Sequence, residues 1–450
     1  MRILAVSHVF PWPADNGARI RAANIVRALS RVGQVDLFTI LSTEETRELG
    51  DPDERAKLAE EAVVRVGAAT RPSSSYSLRR RLGWIAVSSL PYEVDTRDYS
   101  AVRAAFATWA EKPYDLIWME HAESFVALEP LIDAPCIVDL DDLEDHKIRA
   151  RLAARRHDWS RRSWWGRWEP AVLAKHWGST MHSRLDIRRW ERLQRRIASK
   201  VDAVTVCSSL DRERLGVRNA AVVANGYQAT SSPLGKMGVG RPPTLLLAGA
   251  LSYTPNADAA QYFVRDILPR IREQVPDTRL RLVGRHDRRA EELRGEGVTL
   301  TGYVNDIRAE LAQADAVVVP MRFGGGTRIK ILEAFAHRIP VVSTSVGCEG
   351  LEVVGGRHVL ISDDPGEFAA DCVRLLTERP LRERLVAAAS ELFSQRYRWE
   401  SISSTIGELA GRAANRDGQH SPIRTYGDVS PNHSASSGRI SASEGADRSR

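Results

Sequence analysis

The segment from Gly324 to Thr344, GGGTRIKILEAFAHRIPVVST, joins three consecutive glycines, two cations and one carboxylate. It follows a short apolar run, Ala316 to Pro320, whose β-branched residues and final proline predict a buried parallel strand. Apolar residues then recur at helical spacing from Thr327 onward. The glycines therefore lie on a strand-to-helix loop, where backbone N–H groups and the positive end of the helix dipole meet an approaching ligand.

The charged residues of this loop indicate which ligand it could hold. Arg328 and Lys330 lie within one turn of the helix start. A charge-assisted hydrogen bond to a phosphate oxygen contributes about 1.5–3 kcal/mol, against about 0.3–1 kcal/mol from the dipole, so these side chains would dominate affinity. Glu333 would repel phosphate but suits a vicinal diol such as a ribose. The pattern predicts a site for a nucleotide diphosphate.

A simpler interpretation stays open for the glycines themselves. A glycine-rich loop before a helix can be only a tight connection, and such a pattern is weak without its context. Neither a Walker GxxxxGK[ST] sequence nor a dinucleotide GxGxxG near the first strand is present. The context provided by Gly324, Gly325, Gly326 and Thr327 together with the two cations favours the binding site.

Length and composition place this loop in a multidomain globular protein. A chain of 450 residues predicts two or three domains. No run approaches the ~20 apolar residues that cross a bilayer, and the chain opens directly on a strand, which predicts a cytoplasmic protein. The four cysteines lack CxxC spacing, so we expect buried thiols rather than a zinc site or disulfides.

Positive charge is concentrated in one segment, Lys147 to Lys200. It holds sixteen Lys and Arg against four Asp and Glu, a net of +12, whereas the whole chain carries +6 and the remainder therefore −6. It also holds six of the eleven tryptophans. Cations interleaved with tryptophan suit an anionic membrane surface. Nucleic-acid binding would use the same charge but lacks any accompanying motif, and a solvated insertion whose tryptophans pack on the domain remains an alternative.

Strands and helices alternate along the chain, which predicts α/β architecture with parallel sheets. Two series of strands indicate two doubly wound, Rossmann-like domains. The predicted strands are Ile3–Val6, Val35–Ile40, Val63–Val66, Leu116–Met119, Cys136–Leu140 and Ala203–Val206, then Leu245–Ala248, Leu280–Val283, Val298–Leu300, Ala316–Val319, Val341–Val342 and Val359–Ile361. We predict an N-terminal domain over 1–225 with a basic, Trp-rich insertion at about 147–200, a linker over 226–243, a C-terminal domain over 244–412 and a disordered tail over 413–450.

Over roughly residues 1 to 410 the chain resembles the group 1 (family 4) glycosyltransferases of GT-B fold, in which two such domains face a central cleft. Four segments carry the resemblance jointly. They are Asp202–Ser209 with Asp211 and Asn225-Gly226, Leu251–Gly284, Leu300–Pro320, and the glycine loop with Glu333.

The resemblance implies transfer of a sugar from a UDP- or GDP-linked donor with retention at the anomeric carbon. The donor would bind the C-terminal domain, and a glycan, lipid-linked or small-molecule acceptor would bind the N-terminal one. Glu333 matches the acidic residue that holds the ribose. Gly325 stands where many members carry another acidic residue that touches the donor sugar, so recognition of that sugar would fall to the backbone amides of Gly325, Gly326 and Thr327.

A second departure concerns the phosphate clamp. Many members place an Arg and a Lys after the first strand of the second domain, but Ala250–Asn256 has neither, so Arg328 and Lys330 are the natural replacements. Arg285 is a further cation at the cleft edge, or else a solvated loop residue. The backbone at Tyr303 and Val304 would hold the base.

The N-terminal side offers less specific candidates. Gly17, in Asn16-Gly17-Ala18, resembles a reduced form of the family's glycine-containing acceptor loop. Arg19 and Arg21 would face an anionic acceptor or the diphosphate unless they are merely solvated. Asp142, or Asp141 beside it, could orient the acceptor hydroxyl or accept its proton, or Asp142 could cap the next helix. His121 is a further candidate.

The resemblance implies no metal and no cofactor other than the donor substrate. Stabilisation of the leaving diphosphate would then be electrostatic. Two alternatives stay open, a nucleotide-sugar 2-epimerase of the same fold and a non-catalytic nucleotide-sugar-binding protein. We expect no nucleic-acid partner.

Overall fold

The structure is a computed structural model that describes residues 1–49, 55, 59, 62–74, 77–111, 113–161, 170–230, 234, 241–288, 290–325 and 328–415. The side chains of residues 78, 154–161 and 170–178 lie outside the described part.

The first sheet has seven parallel strands in the order β3-β2-β1-β4-β5-β6-β7. The strands are β1 Arg2–Ser7, β2 Gln34–Leu41, β3 Arg65–Thr70, β4 Leu116–Glu120, β5 Cys136–Asp141, β6 Ala203–Val206 and β7 Ala220–Val222. The central strands are buried along almost their whole length, because helices cover both faces of the sheet.

The second sheet has six parallel strands in the order β10-β9-β8-β11-β12-β13. The strands are β8 Thr244–Ala248, β9 Arg279–Val283, β10 Val298–Gly302, β11 Ala316–Val319, β12 Val341–Ser343 and β13 Leu360–Ile361. In both sheets the order reverses beside the first strand of the series. Such a reversal opens a crevice at the carboxyl ends of the strands.

Helices connect successive strands in both halves. The α-helices are α1 Gly17–Ser30, α2 Thr43–Glu48, α3 Leu78–Val87, α4 Tyr92–Asp95, α5 Ser100–Trp109, α6 Ala122–Leu128, α7 Glu144–Arg161, α8 Pro170–Lys200, α9 Ser209–Leu215, α10 Thr254–Tyr262, α11 Leu268–Arg272, α12 Arg308–Leu311, α13 Ile329–Ala336, α14 Pro365–Thr377, α15 Arg379–Arg396 and α16 Trp399–Ala414. A π-helical turn, Phe263–Ile267, joins α10 to α11.

The two doubly wound sheets confirm the predicted fold class, and two details of the strand prediction were wrong. The third strand spans Arg65–Thr70 rather than Val63–Val66. Its Gly67-Ala68-Ala69 portion has low intrinsic strand preference, but pairing with Phe38 to Ile40 of β2 holds it in the sheet. Strand β7, which pairs with β6 at the sheet edge, was not predicted.

The last helix returns to the first domain. Ile402 and Ile406 of α16 are buried in one apolar cluster with Ile3 and Val35 of the N-terminal sheet. The start of the predicted linker also contacts the residues just before α16, because the Tyr227 N–H donates to the Tyr397 carbonyl at 2.9 Å. The division at 225/226, 243/244 and 412 stays a prediction. Residues 231–233 and 235–240 of the linker, and the tail from 416, lie outside the described residues.

The described part of the basic segment is built into the N-terminal domain. Trp190 of α8 is 5% exposed and packs in the domain core. Lys147 lies 2.5 Å from Asp142, and Arg196 lies 3.2 Å from Glu129, so carboxylates outside the segment offset part of its charge. The side chains of the other five tryptophans, Trp159, Trp164, Trp165, Trp168 and Trp177, lie outside the described residues. The membrane interpretation of 147–200 stays a prediction, and no helix in the described ranges is long and apolar enough to cross a bilayer.

Candidate functional site

The glycine loop connects β11 to α13 at the carboxyl edge of the second sheet, as predicted. Gly324 has φ 138°, a left-handed conformation that side chains disfavour, so glycine is required there. Gly325 is described next to it, whereas the predicted site residues Gly326 and Thr327 lie outside the described residues.

Arg328 is a buried cation at the start of α13. Its side chain donates through Nη1 to the Gly325 carbonyl and through Nη2 to the Val346 carbonyl at 3.4 Å. The residue is 6% exposed, and its Nε has no hydrogen-bond partner among the described residues. Burial lowers the pKa of the guanidinium from its usual value. Carbonyl oxygens alone do not neutralise this charge, so an anion would be bound favourably.

Lys330 points from α13 toward the loop that follows β8. Its Nζ donates to Asn256 Oδ1 at 2.8 Å and lies 3.1 Å from the position of a Cβ added to Gly249. Burial, reinforced by the charge of Arg328, lowers the pKa of Lys330 to about 7. The Lys330 amino group therefore lies beside the loop Ala250–Asn256, which contains no Arg or Lys of its own.

Glu333 lies one turn further along the same helix. Its Oε1 accepts a hydrogen bond from the Tyr227 hydroxyl at 2.8 Å. Burial raises the pKa of Glu333 to about 7, although the Tyr227 hydrogen bond and the charge of Lys330 both act to lower it. A half-buried carboxylate with a fixed orientation and a spare oxygen can accept hydrogen bonds from a diol.

The loop before α1 meets this site from the N-terminal domain. A Cβ added to Gly17 would lie 3.0 Å from Ile329 Cδ1, so the two helix starts are in contact. On the other side of the cleft, the Arg285 guanidinium lies 4.8 Å from the centre of the Tyr303 ring. Asp15 approaches both, at 3.8 Å from Arg285 Nη2 and 3.5 Å from the Tyr303 hydroxyl. Val304, the residue after Tyr303, packs partly buried on the core of the second domain.

The suggested role of Arg21 in facing a ligand was wrong. Arg21 is 3% exposed and forms a bidentate ion pair with Asp139, with Nε–Oδ2 and Nη2–Oδ1 distances of 2.8 and 2.7 Å. It also donates to the Val223 carbonyl and to Asn225 Oδ1, both at 2.9 Å. Arg21 therefore ties α1 to β5 inside the domain. Helical position alone could not reveal this partner, which lies 118 residues away.

Asp142 follows β5 and faces the glycine loop. Its Oδ1 lies 2.5 Å from Lys147 Nζ, which also lies 2.7 Å from Glu144 Oε1. Its Oδ2 lies 3.0 Å from the position of a Cβ added to Gly325, and the Lys147 stem covers the same point. A side chain at position 325 would thus collide with the N-terminal domain.

The carboxyl ends of β4 and β5 carry two non-glycine residues with positive φ, His121 at 73° and Asp141 at 57°. Such conformations store strain and occur frequently at functional sites. His121 Nε2 lies 3.4 Å from Glu144 Oε1. Burial disfavours its charged form, but the hydrogen bond and charge of Glu144 outweigh burial and raise the pKa of His121.

A second buried carboxyl, Glu120, accepts a hydrogen bond from the Ser7 hydroxyl at 2.5 Å and lies 4.0 Å from His8 Nδ1. Burial raises the pKa of Glu120 to about 8, so it is mostly protonated at neutral pH. The His8 ring stacks on His121 with centroids 4.7 Å apart.

The sequence did not reveal three residues that contact the predicted site residues. Tyr227 carries no pattern that would connect it to Glu333. Lys147 was counted only as part of the basic segment. Asn256 lies in the segment Leu251–Gly284 that carried the resemblance, and that segment was the available signal. Within the described part of the chain, no group of three or more His, Cys, Asp or Glu is arranged to hold a metal ion.

A known family matches one part of the C-terminal half. Residues 242–378 match the family model for group 1 glycosyl transferases. A phosphatidyl-myo-inositol mannosyltransferase of Mycobacterium leprae is 32% identical over 151 residues, which cover 31% of this chain and 40% of that protein. The corresponding protein of Mycobacterium tuberculosis is 30% identical over 155 residues with the same shares. The match thus spans less than half the length of these relatives.

Solved structures show a likeness over nearly the whole chain. A sucrose-phosphate synthase of Thermosynechococcus elongatus has a TM-score of 0.62 at 18% identity, covering 92% of this chain and 99% of that one. Anabaena HepE, solved with UDP and glucose, has a TM-score of 0.57 at 16% identity, covering 92% and 100%. At such identities the likeness establishes the fold, which is GT-B. Residues 242–378 therefore match the group 1 glycosyl transferases, the family that the motifs predicted, within a chain of GT-B architecture.

Proposed function

We propose that this protein transfers a sugar, with retention at the anomeric carbon, from a UDP- or GDP-linked donor to a hydroxyl group. One observation carries the proposal. Two cations, the buried Arg328 and the half-buried Lys330, lie within one helix turn without a carboxylate partner among the described residues, and Glu333 follows them on the same helix.

The diphosphate would bind between the glycine loop and the loop after β8. Arg328 has an unused N–H, and the Lys330 ammonium donates so far only to a neutral amide. The oxygens of a bound diphosphate would accept charge-assisted hydrogen bonds from Arg328 and Lys330, in place of their contacts with neutral groups. As the bond to the sugar breaks, negative charge grows on that diphosphate, and fixed cations in a buried site stabilise it.

The nucleoside would extend from Glu333 toward the edge of the cleft. The spare oxygen of Glu333 suits the ribose hydroxyls, while the main chain at Tyr303 and Val304 suits the base. The guanidinium of Arg285, which is exposed and lies over the Tyr303 ring, would add a cation beside the nucleotide. Gly17, in contact with Ile329, lets the N-terminal loop lie close to the phosphates.

The acceptor side would be formed by Asp142. Its Oδ2 points toward the glycine loop while Oδ1 is held by Lys147, so the carboxylate has a fixed orientation. An acceptor hydroxyl could donate to it and lose its proton as the new glycosidic bond forms. His121 connects to Asp142 only through Glu144 and Lys147, three contacts in series, and is not needed for this step.

The proposal is tested by a panel of UDP- and GDP-sugars, read by thermal shift and then by transfer to hydroxyl acceptors. A bound donor should raise the melting temperature by mass action. Arg328→Met should lose one charge-assisted contact of about 1.5–3 kcal/mol, so donor affinity should fall by roughly tenfold or more. Arg308→Met is the matched control, because Arg308 is exposed and pairs with Asp306.

Two results would contradict the proposal. One is that no donor in the panel raises the melting temperature of the wild-type protein. The other is that donor affinity in Arg328→Met equals that in Arg308→Met. Conversion of the donor to an epimer without any acceptor would instead favour the isomerase alternative.

A further inference from the structure

The segments before and after the glycine loop both contact one helix, α10. After the loop, Lys330 Nζ donates to Asn256 Oδ1 at 2.8 Å, and Asn256 lies in the first turn of α10. Before the loop, Arg322 pairs with Asp258, which lies further along the same helix. The glycine loop is therefore attached to α10 at both of its ends.

The pair formed by Arg322 and Asp258 is bidentate. Arg322 Nε donates to Asp258 Oδ2 at 2.9 Å, and Arg322 Nη2 donates to Asp258 Oδ1. The guanidinium also lies over the ring of Tyr262, one turn further along α10, with its carbon 5.0 Å from the ring centre. Two parallel hydrogen bonds to a carboxylate fix the orientation of a guanidinium as well as its distance, and the ring restricts it further. Arg322 is thus held on α10 in one arrangement.

The charge of Arg322 is compensated, in contrast to the charges of Arg328 and Lys330. Among the described residues neither of those two cations has a carboxylate partner, whereas Asp258 accepts two hydrogen bonds from Arg322. A phosphate that recruited Arg322 would leave the Asp258 carboxylate without its cation, which offsets the gain. Arg322 is therefore better suited to hold the loop than to bind the diphosphate itself.

The backbone between the two attachments gains little order from its own sequence. Gly324 has φ 138°, and Gly325 follows it. Because glycine has no Cβ, its backbone can adopt more conformations than that of any other residue. Contacts outside the loop must therefore decide where the N–H groups of Gly324 and Gly325 lie, and Arg322 makes one of these contacts.

We propose that the Arg322–Asp258 pair is a positioning contact for the donor, which holds the glycine loop where one diphosphate can reach both Arg328 and Lys330. The inference rests on the proposed function, since it assumes that the diphosphate binds at this loop. Binding groups must be held closely in place, because a displacement of about 1 Å can cost about a hundredfold in rate. Neither Arg322 nor Asp258 has to contact the donor for this effect.

The experiment measures the affinity for UDP and for GDP by isothermal titration calorimetry, at one temperature at which every variant is folded. Asp258→Asn removes the charge of the carboxylate with almost no change of shape, Arg322→Met removes the guanidinium, and a third variant carries both changes. Arg281→Met is the matched control, because Arg281 forms a similarly half-buried pair with Glu310, at 2.6 Å, that joins β9 to α12. Thermal unfolding without nucleotide measures the stability of each variant separately.

We expect Asp258→Asn and Arg322→Met each to weaken nucleoside diphosphate binding by roughly fivefold or more. The double variant should bind no more weakly than the weaker single variant, because both changes break the same contact. Arg281→Met should lower the melting temperature and leave the affinity unchanged.

The sign of the effect in Asp258→Asn separates positioning from direct binding. If Arg322 bound the diphosphate itself, removal of the charge of its partner would strengthen binding, so unchanged or higher affinity in Asp258→Asn would overturn the inference. Losses that multiply in the double variant would also overturn it, as would an equal loss of affinity in Arg281→Met. Absence of UDP and GDP binding by the wild-type protein would instead overturn the proposed function, and this inference with it.

Discussion

Binding of a nucleoside diphosphate should be accompanied by a change in protonation of the protein, with protons released at low pH and taken up at high pH. The free Lys330 ammonium has its pKa lowered to about 7 by burial. A diphosphate beside it favours the charged form and should return the pKa toward its usual value of about 10.4. At pH 8 only about a tenth of free molecules carry the charge, so binding should take up about 0.9 proton at Lys330.

Glu333 should have the opposite effect at lower pH, because binding there should release a proton rather than take one up. Burial raises its pKa to about 7, so at pH 6 about nine tenths of free molecules carry a neutral carboxyl. Ribose hydroxyls donate best to the carboxylate, so binding should lower this pKa and release up to about 0.9 proton. Net release at pH 6 should thus change to net uptake at pH 8, passing through zero near pH 7.

The assay is isothermal titration calorimetry of the nucleoside diphosphate in buffers of different ionisation enthalpy. The slope of observed enthalpy against buffer enthalpy gives the number of protons exchanged. Lys330→Met should abolish uptake at pH 8 and keep release at pH 6, whereas Glu333→Gln should do the reverse. Lys200→Met, on α8, is the control lysine. Uptake at pH 8 that is the same in Lys330→Met as in the wild-type protein would refute the reasoning.

Two further substitutions test contacts that only the fold creates. Tyr227→Phe removes the hydrogen bond that lowers the pKa of Glu333. Donor binding at pH 7 should therefore weaken by roughly tenfold, and the loss of donor affinity on acidification should begin at a higher pH than in the wild-type protein. The effect should vanish on a Glu333→Gln background, and persistence there would exclude a role through Glu333. Arg21→Met leaves Asp139 buried without its cation, so urea denaturation should show a loss of about 3–5 kcal/mol in the free energy of unfolding. A loss below about 1 kcal/mol would show that Asp139 is compensated otherwise.

Much of the fold could be predicted because its signals are local. Short apolar runs such as Leu116–Glu120 and Ala316–Val319 are buried on both faces, and their composition already distinguishes them from helices. Strands β3 and β7 were misplaced or missed because pairing with a neighbour, rather than their own composition, holds them in the sheet. The return of α16 to the first domain has no local signature at all.

The sequence by itself determined the loop chemistry of this protein: three glycines after a strand, then Arg328, Lys330 and Glu333 at spacings that a helix brings together. Only the tertiary structure decided their partners and therefore their charge states. Tyr227 meets Glu333 across 106 residues, Asn256 meets Lys330 across 74, and Lys147 covers Gly325 from the other domain. Helical spacing is fixed by covalent geometry over a few residues, whereas burial and pairing depend on which distant segments the folded chain places side by side.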